Sequence, residues 1–179
     1  MRKDAARNRE LLIEAAKTVF ATRGLHVALD EIARTAGVSI GTLYNRFPTR
    51  NELVAAVYAE TFERSARLAK RCLEVADPWE AFVRYLRGTC ELQIVDRGYA
   101  QVCSRDFGAG SAIESAKHAA IASTEQLVAR TKDSGLLRAD FELRDMALTI
   151  LATASVGQVS GAREDWERLL NLLLDAFRA

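Results

Sequence analysis

The sequence predicts an all-α fold. Helix formers such as Ala, Leu, Glu and Arg dominate it, and its only two prolines, Pro48 and Pro78, both stand where a helix can begin. Apolar residues recur at steps of three and four through most of the chain, the spacing that gives a helix one buried face. Of 179 residues, 49% are hydrophobic, so burial can offset chain entropy without metal or disulfide staples. That length suits one folding unit or two small ones sharing a core.

The first strong pattern runs from about Arg9 to Arg23, where Leu12, Ala15, Ala16, Val19 and Phe20 form one face. Gly24 supplies a left-handed close. A short second helix is expected over roughly Leu29 to Ala36, with Ile32 and Ala33 inward. Asp30 and Glu31 lie in its first turn, where carboxylates suit the positive helix end. Gly37 and Val38 form a tight turn, and Ser39 is a good N-cap for a third helix, about Ile40 to Phe47. Leu43 and Phe47 lie four apart and point into a small core, leaving Thr42, Tyr44, Asn45 and Arg46 outward or at its margins. Pro48 breaks this helix, and Thr49 can cap a long one from Arg50 to about Cys72, with Leu53, Val54, Val57 and Phe62 on its buried side. Three short helices with a tight second-to-third connection make a helix-turn-helix head. Its third helix has too few turns to stand alone, so neighbours must hold it while its polar face stays free to enter a groove.

After Asp77 and Pro78 a helix is expected to about Val95, with Trp79, Phe82, Val83, Leu86, Cys90 and Ile94 available for packing. A break around Gly98 leads to a shorter segment carrying Tyr99, Val102, Cys103 and Phe107, and Gly108 and Gly110 interrupt again. An alanine-rich helix follows from about Ser111 to Lys132, closed by Asp133 and Gly135, then a linker from Leu136 to Phe141. Glu142 to Ser160 places Met146, Ile150, Thr153 and Gly157 on one stripe. The last helix, from about Ala162, carries Trp166, Leu169, Leu170, Leu173 and Phe177 on a broad apolar face.

Net charge is +1, but residues 1 to 71 carry 13 Lys/Arg against 8 Asp/Glu, and residues 72 to 179 carry 12 against 16. The first part suits a polyanion and the second does not. Cys72, Cys90 and Cys103 are odd in number and widely spaced, without the paired spacing of a zinc site. No charged n-region followed by an apolar run opens the chain, and no stretch approaches the ~20 apolar residues of a membrane span. A cytoplasmic protein with no membrane association is expected. His26 and His118 are far apart, no phosphate-cradling glycine loop occurs, and the DFGAG run at 106–110 reads as a helix break. No nucleophile with a base and an orienting partner can be assembled, so neither an enzyme nor a cofactor is expected.

The words LLIEAAKTVFATRG and DEIARTAGVSIGTLYNRFPTRNELVAAV, within Arg9 to Tyr58, resemble the TetR family of bacterial one-component transcriptional regulators. The IA…AGVS turn, the GTLY start of the third helix and the F-P-x-(K/R)-x-x-L join stand at the family's spacing. The resemblance covers about 50 of the 179 residues. It implies a head over residues 1–48, a connecting helix over 49–72 and a helical effector-binding and dimerisation bundle over 73–179. It places Ser39, Ile40, Gly41, Thr42, Tyr44, Asn45 and Arg46 on the stretch that enters the DNA major groove, with Tyr44 and Arg50 at phosphate-contacting positions. The Arg46 fork can bond a guanine edge or clamp phosphate, and Thr42 and Ile40 can meet a thymine methyl. Arg2, Lys3, Arg7 and Arg9 are expected to form a basic N-terminal arm. The chain departs from the family pattern at Ala28 and Leu29, where Thr or Ser usually caps the second helix, and its link from Gly24 is one residue shorter.

The resemblance further implies a homodimer whose last two helices pair with those of a second subunit, reading a palindromic double-stranded operator. The apolar stripes agree, and Ile150, Gly157, Trp166, Leu169, Leu170, Leu173 and Phe177 are the expected interface. Trp79, Phe82, Leu86, Cys90, Tyr99, Cys103, Phe107, His118 and Met146 are the expected lining of an effector pocket, suited to an apolar or aromatic small molecule. The expected function is a repressor released from its operator by that ligand. Control by a protein partner, or by Cys90 and Cys103 acting as a thiol sensor, are the alternatives.

Overall fold

The computed structural model describes residues 2–108 and 110–179. Its elements are α1 (Arg2–Arg23), α2 (Leu29–Thr35), α3 (Ile40–Arg46), α4 (Arg50–Leu73), α5 (Pro78–Val95), α6 (Arg97–Ser104), α7 (Ala112–Asp133), α8 (Leu143–Ser160) and α9 (Arg163–Phe177). The chain forms two compact units, neither of them continuous in sequence. Met1–Glu60 joins Asp96–Glu114 in a head unit, and Thr61–Val95 joins Ser115–Ala179 in a bundle unit. The head therefore includes α6, which lies far along the chain from the helix-turn-helix. No helix among the described residues is long and apolar enough to cross a membrane.

In the head, α1 packs on α2, α3 and α6. Leu12, Ala16, Phe20, Ile32, Leu43 and Val102 of these helices are buried, together with Leu53 and Tyr58 from the first half of α4. Helix α1 starts seven residues before the expected Arg9. Ala5 and Ala6 favour helix, Asp4 lies in the first turn where it complements the dipole, and no breaker intervenes. The backbone of the expected basic arm is thus helical. The Arg2 and Lys3 side chains lie outside the described residues, and the Arg9 guanidinium sits 5.3 Å from the centre of the Phe47 ring.

The break expected around Gly98 falls at Asp96, between α5 and α6, and Gly98 itself lies inside the first turn of α6. The helix starts at Asp96, whose carboxylate accepts the Tyr99 N–H at 2.8 Å as an N-cap. A Cβ at position 98 would lie 2.1 Å from the Tyr58 hydroxyl and 3.0 Å from the Phe20 carbonyl oxygen, so glycine is what lets α6 approach α1 and α4.

In the bundle, α8 packs on both α5 and α9. Phe82, Leu86, Leu127, Phe141, Trp166 and Leu170 form the centre of its core. A Cβ at Gly157 would lie 2.9 Å from Ile94 Cγ2, so glycine sets the close crossing of α8 over α5. The rings of Trp79, Phe82, Phe141 and Phe177 make successive contacts with centres 5.6, 5.5 and 4.9 Å apart. The Arg138 N–H donates to the Phe177 carbonyl at 3.0 Å and fastens the chain end to the 136–141 linker. Arg130 donates to the carbonyls of Leu73, Val75 and Ala76 at 2.7–2.8 Å, satisfying one acceptor at the end of α4 and two in the turn beyond it.

Candidate nucleic-acid interface

Helix α3 is held from both ends and from beneath. Ser39 accepts the Thr42 N–H at 3.1 Å, and its hydroxyl lies 2.9 Å from that of Thr42. Leu43 and the closing residue Phe47 are buried, as their spacing predicts. The other face is open: Ser39, Ile40, Gly41, Asn45 and Arg46 are exposed, Tyr44 is 49% exposed, and Thr42 is half-buried. Arg23 pairs with Glu31 and Arg34 with Asp30. Among the described residues no ion pair holds Arg46, so this fork is available to a ligand.

Arg50 has a different setting from the one the resemblance implies. It is half-buried, and its Nη1 donates to the carbonyls of Leu25 at 2.7 Å and Val27 at 2.8 Å. Those contacts brace the turn between α1 and α2. The turn needs them, because Ala28 stands at the N-cap of α2 and makes no side-chain cap bond. Thr49 caps α4 as expected, accepting the Glu52 N–H at 3.2 Å and donating to its carboxylate at 3.1 Å.

Sequence reasoning missed the support from α6. Gln101 Oε1 accepts the Leu25 N–H at 2.7 Å, Arg105 lies 2.7 Å from His26 Nε2, and the Tyr58 hydroxyl donates to Asp96 at 2.9 Å. Burial, and then Asp96 beside it, push the Tyr58 phenol well above its ordinary range, so it stays a donor. No local motif marks these residues. The sole hint is that Asp96, Gly98 and Gln101 interrupt an otherwise apolar pattern.

The expected effector residues are shared between the two units. Tyr99, Cys103 and Phe107 belong to the head unit, and the others to the bundle. There Phe82, Leu86, Cys90 and Met146 are core members, Trp79 packs against that core, and His118 is exposed and lines no interior. The bundle does bury a polar strip that the apolar reading overlooked. Tyr85, Thr89 and Gln93, at steps of four on α5, are all buried, and the Tyr85 hydroxyl lies 2.7 Å from that of Thr124 on α7. Two open clefts also mark this unit. One, of 470 Å³, lies between α7 and the start of α8 around Val128, Phe141 and Leu143; the other, of 210 Å³, lies around Ile94, Gly157 and Trp166.

The expected dimer residues differ in their exposure within the single chain. Ile150, Gly157, Trp166 and Leu170 are buried in the chain's own bundle, and Phe177 packs on Phe141. Leu169 and Leu173 are half-buried. The outward apolar side chains of the last two helices are Leu148, Leu151, Val159 and Leu172, one stripe further round. Periodicity finds an apolar face but does not say whether the same chain covers it.

Comparison with known proteins agrees with this architecture. Residues 12–57 match the bacterial regulatory proteins of the tetR family, and residues 77–179 match the C-terminal domain of SbtR-like transcriptional regulators. Comparison with curated proteins gives no match. Among solved structures, a TetR transcriptional regulator from Streptomyces coelicolor is 30% identical, covering 95% of this chain and 98% of its own, with a TM-score of 0.61. A TetR regulatory protein from Mycobacterium vanbaalenii is 32% identical over 99% of each chain, with a TM-score of 0.55. A TetR-family protein from Shewanella sp. PV-4, 17% identical, shares the fold over 96% of this chain and 98% of its own at a TM-score of 0.70. With an α3 face open for a groove, and family matches across both the head and most of the remaining chain, the protein belongs to the TetR family of bacterial transcriptional regulators.

Proposed function

We propose that the protein is a homodimeric repressor that reads a palindromic operator through α3 and releases it when a small molecule binds the bundle. The observation that carries the reading is the two-sidedness of α3, whose Leu43 and Phe47 are buried while Ile40, Tyr44, Asn45 and Arg46 face outward. Such a helix presents base-reading and phosphate-positioning groups on a supported frame. Arg46 is assigned base readout, and Ser39, Thr42, Tyr44 and Asn45 the remaining contacts. Ile40 is assigned an apolar one, and Gly41 leaves the backbone able to approach. Arg50 acts on this reading as a brace, with its remaining donors toward phosphate.

A second copy of the chain covers Leu148, Leu151, Val159 and Leu172, and the two-fold axis so formed pairs the reading heads. The buried strip of Tyr85, Thr89, Gln93 and Thr124 supports an effector that hydrogen-bonds as well as filling apolar space. Release then follows from a ligand that favours a head spacing misfitted to DNA.

The test is selection of duplexes from a random pool by the purified protein, repeated with Arg46→Ala at fixed salt. An inverted repeat for wild type, relaxed at one symmetric base pair by about 1–3 kcal/mol in the variant, is the expected result. Failure to enrich any sequence at moderate salt, where non-specific attraction has weakened, defeats the reading.

A further inference from the structure

We infer that Gln101 is a positioning residue for DNA binding: from α6 it holds the α1–α2 turn whose own cap is missing, and so sets the tilt of the reading helix. The inference rests on the DNA-binding reading above and adds a residue from outside the helix-turn-helix to it.

The turn over residues 24–28 has little to fix it from within. Gly24 takes φ +79 to end α1, and its N–H returns to the Phe20 carbonyl at 2.8 Å. The backbone groups of Leu25 and Val27 that follow lie outside both helices. Ala28, extended at φ −63 and ψ 138, brings no hydroxyl to the first turn of α2. The polar groups of this buried stretch are met from outside instead: Gln101 takes the Leu25 N–H, and Arg50 takes the Leu25 and Val27 carbonyls. Leu25 and Val27 are 3% and 6% exposed, so a partner lost there leaves a largely shielded polar group short of a hydrogen bond.

The Gln101 amide is also a wedge. A Cβ at Gly24 would lie 2.8 Å from Gln101 Nε2 and 2.9 Å from Oε1, so the amide lies directly against the Gly24 backbone. This side chain therefore meets the turn twice, through a hydrogen bond to Leu25 and through close packing on Gly24. From there the connection to the interface is short. Helix α2 has only seven residues, and its buried Ile32 and Ala33 form the floor on which α3 rests through Leu43. Helices this short keep their place through neighbours and not through their own hydrogen bonds. Loss of the Leu25 bond shifts the start of α2, and α3 follows. Base contacts depend on tilt more than phosphate attraction does, so operator affinity falls while non-specific affinity stays.

The experiment compares full-length wild type, Gln101→Leu and Gln101→Glu by fluorescence anisotropy, using the operator enriched above and a random duplex of equal length. Leucine keeps the bulk and loses the acceptor, whereas glutamate keeps the acceptor. Gln101→Leu is expected to bind operator about tenfold more weakly, with random-duplex affinity unchanged and Gln101→Glu within about twofold of wild type. General destabilisation would lower the active fraction on both duplexes and would not be rescued by glutamate. Wild-type operator affinity in Gln101→Leu overturns the inference while leaving the DNA reading intact. A wild type that binds no duplex overturns both. Hydrogen exchange at the Leu25 amide of wild type gives a readout that needs no variant to fold: protection is expected, and exchange at the rate of a free amide overturns the inference.

Discussion

In the head, α2 and α3 are seven residues long; in the bundle, α5 and α8 have eighteen each. The difference in length is matched by a difference in what holds them. The short helices bury only a few side chains, and polar groups brace the frame around them: Arg50 and Gln101 hold the turn before α2, and the Tyr58–Asp96 pair ties α4 to the start of α6. The long ones are kept by area, through the aromatic run from Trp79 to Phe177 and the aliphatic residues around it. A few directional bonds fix an orientation closely but contribute modestly to stability. A large apolar core does the reverse. A regulator needs both, and here they are allotted to different units.

The largest effect expected is in the bundle. Phe82 is fully buried and touches the rings of both Trp79 and Phe141, so Phe82→Ala should cost about 3–5 kcal/mol, measured by urea denaturation. That is a large share of the ~5–15 kcal/mol typical of a folded protein. A loss below about 1 kcal/mol would show that the bundle does not rest on this core, and the contrast with the head would fail.

Next in size is the outer face of α8 and α9. Leu151 is exposed on the single chain, so Leu151→Arg should leave the urea midpoint of the separated chain close to wild type. By sedimentation the particle should fall to the monomer mass. Operator affinity should drop about a hundredfold or more, because two half-sites are no longer engaged together. A dimer of unchanged mass would place the partner elsewhere and return the stripe to ordinary exposed surface.

The same comparison explains what could be read in advance. The ends of α3, the Ser39 cap and the burial of Leu43 and Phe47 follow from local rules, because a helix terminus and a four-residue step are properties of neighbouring residues. The place of α6 in the head is not local. Asp96, Gly98 and Gln101 act on Tyr58, Phe20 and Leu25, far back in the chain, and no periodicity records such pairs. The bundle is hard to read for a different reason. Its last two helices carry apolar residues round more than one stripe, and the one centred on Trp166 and Leu170 is covered by the chain itself. Of the expected effector residues, Phe82, Leu86, Cys90 and Met146 are core members, because periodicity does not tell the lining of a cavity from a packed interior.

Alkaline pH separates the two units by where their buried acids begin to matter. Burial pushes the Cys90 thiol in the bundle up from 9 to about 12, and it raises Cys72 in the same direction. Between those two values the unfolded thiol has lost its proton and the folded one retains it. Unfolding therefore releases a proton, and stability falls as pH rises above 9. The Tyr58 phenol in the head, whose ordinary value is 10, adds to this only above that pH. Urea midpoints should hold steady up to pH 8.5 and decline from pH 9, and Cys90→Ala should flatten the first part of the decline. Cys90 should also resist thiol reagents in the folded protein, unlike the half-buried Cys103. Rapid modification of Cys90 would revive a thiol-sensing role.

The smallest effect bears most directly on how the head is braced. Ala28 is exposed and extended, at φ −63 and ψ 138, the conformation an N-cap residue adopts. Ala28→Ser should supply the missing acceptor to the first turn of α2 and stabilise the protein by about 0.5–1 kcal/mol. The gain itself is unremarkable; its interaction with position 101 is informative. If Gln101 stands in for the absent cap, the serine should recover part of the operator affinity lost in Gln101→Leu while adding little to wild type. If the two changes simply add, the turn has no shared constraint, and α2 is held by its burial alone.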